Sequence, residues 1–386
     1  MPTTNLADAM AVVVAPRVYN PRKTLFVGTV IFVLILVYVF RSPPEDATTG
    51  PEGLIRFNGQ TMGTYYDIQV VHADFTDAQV EALRHKVHDY LIEVNRQMST
   101  WISDSEISQF NAHETAVPFP VSPSFASVTR AALYWAEATE GAFDPTLDPL
   151  INLWGFGHQV RAMSEWPSQD EVDGALAQIG FQAVKVTDGP DGPQLEKLRP
   201  EIQLNLNAIA KGYAVDGVLA LLEEAGAENI YVEIGGDVAA LGQNLAGTPW
   251  RIGIEQPVPD ALPGQFLEGI VHITQGALAG SGEYRKYLQD DEGQSYSHII
   301  DPRTGYPARH QLASVNVWAE TCMVADAAAT ALIVMGEEAG AEWIETRPEL
   351  EAIFFVQTPD GEIESFRSSG FDKRTGYQPI LVEDAP

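Results

Sequence analysis

The stretch from Asn229 to Gly282 contains the feature that most limits how this chain can fold. Its apolar segments are typical of strands, and glycine turns rather than helices separate them: "NIYVEIGGDVAAL", "WRIGIEQP" and "GIVHITQGALAGSG". A further strand pattern, "SVNVWA", begins at Ser314. Helices and strands alternate irregularly along the rest of the chain, which argues against a doubly wound sheet. The sequence therefore predicts an α+β (mixed α/β) domain.

Local signals predict the other elements. Apolar residues recur at helical spacing after a capping-box pattern in two places. The most apolar helix spans Cys322 to Met335 and is followed by Gly336, a typical helix end. The remaining predicted elements are a strand over Thr64–Val71, helices after Thr76 and Ser168, a helix in "SPSFASVTRAALYWAEATEG", and a helix from about Ala208 to Glu224.

The charge balance excludes one class of function. The 386 residues include 23 Lys and Arg against 53 Asp and Glu, a net charge of −30. Such a surface repels nucleic acid, so no nucleic-acid partner is expected. The single cysteine, Cys322, excludes an internal disulfide and a cysteine-cluster zinc site, and we interpret it as a buried thiol.

An apolar run near the start of the chain predicts a membrane anchor. No charged residue interrupts Leu25–Phe40, and Arg17, Arg22 and Lys23 precede it. The positive-inside rule then puts residues 1–24 in the cytoplasm, with 25–40 as a transmembrane signal anchor, 41–53 as a linker and 54–386 as an exported domain. A cleaved signal peptide is the alternative, although "RSPPEDATTG" is a poor cleavage site.

Two oxygen-bearing side chains lie on one face of the apolar helix. Asp326 and Thr330 are four residues apart in "VADAAAT", so both point the same way. Carboxylate and hydroxyl oxygens suit Mg²⁺ or Ca²⁺, and this pair predicts half of a hard-cation site. The alternative is structural: Asp326 pairs with a backbone group, and Thr330 bonds back to its own helix.

Three other segments contain candidate site residues. "SHIIDPRTGYP" brings His298, Asp301 and Arg303 into one turn, where histidine can transfer a proton and aspartate can orient it or act as a base. "NLNAIAKGYAVDGV" joins a strand end to a helix start, a place that suits a phosphate, although an ordinary capped helix explains it too. "GAFDPTLDPLINLWGFG" is either a stacking surface for a planar ring or a buried aromatic loop.

In order along the chain, these segments resemble the blocks of the FAD:protein FMN transferase (ApbE) family. The matching blocks are "MGTYYDI", "MSTWISDSEIS", "GAFDPTLDPL", "NAIAKGYAVDG", "VEIGGDV", "YSHIIDPRTGYP" and "VADAAATALIVMG". The resemblance covers about Ile55 to Gly370 and implies an ApbE-like fold with mixed sheets flanked by helices. It also implies Mg²⁺-dependent transfer of FMN from FAD to a Thr or Ser hydroxyl, with release of AMP.

The resemblance assigns roles residue by residue. It implies a metal site from the carbonyl of Ala208 with Asp326 and Thr330, near Ala329, and a catalytic role for His298 and Asp301. It implies FAD contacts at Met62, Trp101, Ala142, Phe143, Asp144, Asn205, Lys211 and Ile299. The chain departs from the common pattern at Asn205, where many members carry Asp, at Asn207, where Gly or Ser is usual, and at Trp101, where Tyr is commoner.

The family resemblance also implies partners and a location. The acceptor is expected to be a separate flavoprotein, such as a subunit of a membrane redox complex. With the anchor, we expect a single-pass protein of the bacterial inner membrane with a periplasmic catalytic domain. Two other functions stay open on sequence grounds: an FAD pyrophosphatase that yields FMN and AMP, and a membrane-tethered protein that binds FAD without catalysis.

Overall fold

Most of the predicted strands join one antiparallel sheet. The computed structural model describes residues 48–49, 53–114, 117–157, 166–258, 261–262, 264–282, 287–289 and 295–380. All of them belong to the unit Pro44–Pro386. The sheet has nine strands in the order β1-β2-β3-β7-β8-β11-β14-β15-β16, and every neighbouring pair is antiparallel. Its strands are β1 (Thr48–Thr49), β2 (Leu54–Thr61), β3 (Thr64–Val71), β7 (Ile230–Ile234), β8 (Asp237–Leu241), β11 (Gln275–Gly282), β14 (Leu312–Ala319), β15 (Glu351–Gln357) and β16 (Ile363–Arg367).

The other strands form small sheets. β17-β10-β9 is a three-stranded sheet that packs on the large one, β4-β6-β5 is a second, and β12-β13 is a hairpin. Their bounds are β4 (Phe119–Pro120), β5 (Val184–Gly189), β6 (Gly192–Lys197), β9 (Trp250–Glu255), β10 (Leu267–Ile273), β12 (Tyr287–Gln289), β13 (Ser295–Ser297) and β17 (Gln378–Pro379).

The helices begin and end close to the sequence signals. Both predicted capping boxes are present, at Thr76 with Gln79 and at Ser168 with Glu171. The short helix α2 was not predicted, because seven residues carry little periodicity. The helices are α1 (Asp77–Met98), α2 (Glu106–Ala112), α3 (Pro123–Ala138), α4 (Asp148–Leu153), α5 (Gln169–Leu176), α6 (Ala210–Glu224), α7 (Cys322–Met335), α8 (Glu337–Glu345) and α9 (Phe371–Thr375).

Both faces of the large sheet are buried along its strands β8, β14 and β15. In β15, Ala352 and Phe354 belong to the core beneath α1, α6 and α7, while Ile353 and Phe355 contact the layer formed by β9 and β10. This explains why "AIFFV" is continuously apolar although its strand is antiparallel. The result is three layers, helices, sheet and small sheet, and it confirms the predicted mixed α/β class.

The predicted membrane placement is wrong on the evidence of the structure. Within the described ranges, no helix is both long enough and apolar enough to cross a bilayer. The expectation of a single-pass inner-membrane protein with a periplasmic catalytic domain is corrected accordingly. The segment 25–40, on which that expectation depended, lies outside the described residues.

Candidate active site

Helices α6 and α7 cross at very short range, and Gly212 makes this possible. A Cβ atom at Gly212 would lie 2.3 Å from the carbonyl oxygen of Cys322, far inside van der Waals contact. Only a residue without a side chain fits there, which accounts for the glycine in "AKGYAVDG". The close crossing brings Asp326 of α7 to the first turn of α6.

Each of these two helices caps the other. Neither has a side-chain cap from its own N-cap residue. Instead Asp326 Oδ2 accepts a hydrogen bond from the Gly212 amide (3.0 Å), and Asp216 accepts from the amides of Cys322 (2.7 Å) and Met323 (2.9 Å). A carboxylate at a helix N-terminus satisfies unpaired amides and complements the helix dipole. The pair is therefore fixed in orientation as well as in distance.

Lys211 lies between two buried carboxylates. Its Nζ bonds Asp237 Oδ2 and lies 3.4 Å from Asp326 Oδ1. Burial alone would lower the pKa of Lys211, but Asp237 and Asp326 outweigh it and raise the pKa. Burial raises the pKa of Asp237 to about 7, against the opposing effect of Lys211. The cluster holds a fixed cation at the floor of a cavity.

That cavity has a volume of about 880 Å³ and collects most of the predicted site residues. A volume of this size lies within the range of ligand sites for large cofactors. The predicted residues that line it are Ala142, Phe143, Asp144, Asn205, Ala208, Lys211, His298, Ile299, Asp326 and Thr330. They come from the loop before α4, the start of α6, the turn after β13, and α7.

Four predicted residues do not line the cavity. Met62 and Trp101 are absent from its lining, and Trp101 is 57% exposed at the surface. Ala329 is fully buried inside α7. Asp301 pairs its carboxylate with Arg303, at 2.8 Å to Nε and 2.8 Å to Nη2, and accepts the Arg303 amide. The Asp301 side chain therefore stabilises its own turn. The neighbouring His298 lines the cavity.

Hydrogen bonds hold the loops of the site in place. Asp144 accepts from the amide (2.7 Å) and hydroxyl (2.6 Å) of Thr146 and from the Phe181 amide (3.2 Å). Burial raises the pKa of Asp144, and these bonds oppose the rise. Its carboxylate is therefore occupied in shaping the loop, whose residues 142–144 line the cavity.

Asn205 has a specific partner that the sequence did not indicate. Its Nδ2 donates to Asp148 Oδ1 (2.9 Å), and Asp148 Oδ2 accepts from Asn152 Nδ2 (2.7 Å). Asp148 is fully buried. An aspartate at 205 would set a second carboxylate against Asp148, whereas the amide donates to it. The departure at Asn205 is thus consistent with its surroundings.

The oxygen atoms around α7 suit a hard cation. The described residues contain no group of three or more His, Cys, Asp and Glu side chains placed to hold a metal. The donor set is mixed instead: the Asp326 carboxylate, the Thr330 hydroxyl and the Ala208 carbonyl all belong to residues at the cavity. Thr330 does not bond back to its helix, since its hydroxyl has no hydrogen bond in the described part of the chain. One carboxylate with neutral oxygens, completed by ligand phosphates and water, is the arrangement Mg²⁺ takes in proteins.

Two important residues were missed at the sequence level. Asp237 follows Gly235-Gly236 directly after an apolar strand, and its side chain is buried. An acidic residue in an apolar hairpin could have been recognised in the sequence as a candidate. Arg251 lines the cavity from β9, but one arginine in an alternating strand looks like an ordinary exposed residue. Only the packing of the small sheet on the large one brings Arg251 to the site.

Taken together, the fold and the cavity define an α+β protein with a large ligand site. A family model described as "ApbE family" matches residues 62–354. The FAD:protein FMN transferase of Vibrio cholerae is 40% identical over 321 residues, covering 83% of this chain and 92% of that protein. That of Haemophilus influenzae is 36% identical over 323 residues, with 83% and 92% covered. The chain belongs to the ApbE family of flavin transferases, as its ordered sequence blocks predicted.

Solved structures agree with this assignment. The flavin transferase ApbE from Vibrio cholerae superimposes with a TM-score of 0.74 at 40% identity, covering 83% of this chain and 98% of that one. The Pseudomonas stutzeri flavinyl transferase ApbE, in its apo form, gives 0.74 at 35% identity, with 84% and 97% covered. In both comparisons, the likeness extends over most of this chain and nearly all of the solved one.

Proposed function

We propose that this enzyme transfers FMN from FAD to a Thr or Ser hydroxyl of an acceptor flavoprotein, with Mg²⁺, and releases AMP. The observation that carries the proposal is that His298, Lys211, Asp326 and Thr330 line the same cavity. The names of the relatives, FAD:protein FMN transferase, support the same reaction. The proposed FAD contacts are the predicted residues at that cavity, with Met62 and Trp101 beyond its described lining.

The reaction replaces the phosphoanhydride bond of FAD with a phosphoester bond to the acceptor. The acceptor hydroxyl attacks the FMN-side phosphorus of FAD, the bond from that phosphorus to the oxygen of AMP breaks, and a phosphoester of FMN forms. The hydroxyl proton passes to His298, which lines the cavity. Asp301 pairs with Arg303 in the turn that follows His298, and its proposed role is to position His298 through that turn. Lys211 adds a positive charge near the diphosphate.

Asp326, Thr330 and the Ala208 carbonyl would hold the metal, with Ala329 behind them. Mg²⁺ bound there would offset the charge of the diphosphate and stabilise the leaving phosphate. Lys211 and the Gly212 amide keep the Asp326 carboxylate in a fixed orientation. The protein's contribution is mainly positioning and charge stabilisation, as phosphoryl-type transfers require.

One assay separates this function from its alternatives. The full chain is incubated with FAD, MgCl₂ and a recombinant flavin-acceptor domain that contains the target threonine, and a matched acceptor carries Val at that position. A gain in acceptor mass equal to FMN less one water, with AMP released and no gain on the Val acceptor, supports the transferase. AMP without a mass gain would instead identify an FAD pyrophosphatase, and neither product would identify a protein that only binds FAD.

Replacing His298 tests the proposed proton acceptor. For His298→Ala we expect kcat for transfer to fall by about 10²-fold or more, with the FAD dissociation constant within about threefold of wild type. FAD fluorescence titration gives the dissociation constant, and AMP release gives the rate. Asp301→Asn, which weakens only the turn, serves as the comparison and should retain more activity. Equal losses of FAD affinity and rate would mean that His298 only holds the ligand.

A further inference from the structure

Strand β9 has one free edge, and that edge lines the cavity. β9 pairs with β10 on one side, and no strand in the described ranges pairs with its other side. Four residues of β9 line the cavity: Arg251, Ile252, Gly253 and Glu255. Ile252 points into the core and Arg251 points to solvent, so the cavity meets the strand along its edge rather than on one face.

The register identifies which backbone groups lie on that edge. The Gln256 amide donates to the Phe266 carbonyl on the β10 side, at 2.9 Å. In an antiparallel pair, alternate residues direct their N–H and C=O groups to the partner. The backbone groups that bond β10 are therefore those of Ile254, Ile252 and Trp250. The free edge carries the backbone N–H and C=O groups of Arg251 and Gly253. Gly253 has no side chain to hold another backbone away.

We propose that an extended segment of the acceptor protein adds to this edge as a further strand, with an acidic residue against Arg251. The inference rests on the proposed function, because that reaction needs a protein hydroxyl to enter this cavity. Strand addition supplies backbone hydrogen bonds along the segment and directs alternate side chains to opposite faces, one of which can then reach the cavity. Free edges are otherwise blocked or covered in most proteins.

The charge of Arg251 supports the choice of partner. Its side chain is exposed and makes no ion pair with any described residue, in a chain whose net charge is −30. A guanidinium binds a carboxylate through paired hydrogen bonds. An unpaired arginine beside an open strand edge therefore favours an acidic extended segment over a basic one.

A proline substitution tests the backbone contact. Gly253→Pro removes an outward N–H without touching the bonds to β10, and Gly253→Ala is the matched control, since it adds the same Cβ near Leu267 but keeps the N–H. We expect Gly253→Pro to raise the KM for the acceptor domain by about tenfold or more relative to Gly253→Ala. The FAD dissociation constant and the melting temperature should match between the two variants.

A charge substitution tests the side-chain contact. Arg251→Glu should raise the acceptor KM, and Arg251→Lys should restore part of the difference. Equal acceptor KM values for Gly253→Pro and Gly253→Ala would overturn the inference while leaving the transferase function intact. A wild-type dimer that Gly253→Pro converts to a monomer, with unchanged KM, would overturn it too and identify the edge as a contact between two copies. No transfer by the wild type would refute the proposed function itself.

Discussion

The roles of single residues at this site depend on which of their atoms are already occupied. Asp326 uses Oδ2 to accept the Gly212 amide, so it is both a structural cap and a cavity residue. The sequence left these two interpretations of Asp326 as alternatives, and the structure shows the capping contact directly. Thr330 is different, because its hydroxyl makes no hydrogen bond among the described residues that would stabilise the fold.

This difference makes Thr330 the sharper test of the metal site. Thr330→Val keeps the shape of the side chain and removes the hydroxyl, so we expect a change in unfolding free energy within about 0.5 kcal/mol. The Mg²⁺ concentration that gives half-maximal transfer should rise by about tenfold, and Thr330→Ser should restore it. Chemical denaturation and a Mg²⁺ titration of AMP release measure the two effects. An unchanged Mg²⁺ requirement would remove Thr330 from the metal site.

At the scale of elements, α6 and α7 are held by a close crossing and by exchanged caps. Neither contact is local in sequence, since Gly212 and Cys322 are far apart along the chain. The predicted bounds of α7 agree with the structure, because apolar composition and the following glycine act locally. The crossing of the two helices could not be predicted, because it depends on the packing of α6 against β7 and β8 and of α7 against β11 and β14.

A glycine substitution tests the crossing. In Gly212→Ala the new Cβ meets the Cys322 carbonyl at 2.3 Å, and a backbone group cannot move as a side chain can. We expect a loss of about 1–3 kcal/mol in unfolding free energy, the usual effect of overpacking. Gly174→Ala is the matched control, since it lies within α5 with nothing near its Cβ and should gain about 0.5–1 kcal/mol. Denaturant unfolding of both variants gives the comparison, and equal stabilities would contradict the close crossing.

The exchanged cap predicts a pH dependence. Burial raises the pKa of Asp216 to about 6 from 3.8, although the amides of Met323 and Cys322 oppose the rise. Between these values the folded state binds more protons than the unfolded state, so the contribution of Asp216 is full below pH 3.8 and is lost as the pH rises through 6. Relative to Asp216→Asn, the unfolding free energy of the wild type should fall by roughly 3 kcal/mol over this pH window. Above the window, the difference between the two proteins should stay constant. Unfolding free energies of both proteins from pH 4 to 7.5 provide the measurement, and parallel curves would contradict the raised pKa.

At the scale of the whole molecule, the negative net charge opposes the approach of FAD. A protein of charge −30 repels FAD at long range, while Lys211 and Arg251 are cations at the cavity itself. Long-range repulsion between like charges is screened by salt, whereas contacts inside a cavity are screened much less. The approach of FAD and its binding therefore respond differently to ionic strength.

This difference can be measured in the kinetics of FAD binding. We expect the association rate constant of FAD to rise with NaCl as the Debye length falls from about 30 Å at 0.01 M to about 8 Å at 0.15 M. The dissociation rate constant should change much less. Stopped-flow flavin fluorescence gives both constants, and riboflavin, which is uncharged, is the control. An association rate that falls with salt would mean that local cations, rather than net charge, guide the ligand.

The amino-acid sequence alone determined the local features of this protein: the capping boxes, the bounds of α7, the strand over residues 64–71 and the mixed α/β class. Hydrophobic period, caps and glycine turns act over a few residues, so a linear pattern contains them. The tertiary structure alone decided that Asp216 and Asp326 exchange caps, that Asp237 bonds Lys211, and that the edge of β9 borders the cavity. These contacts join residues distant in the chain, and packing forces between whole layers set them.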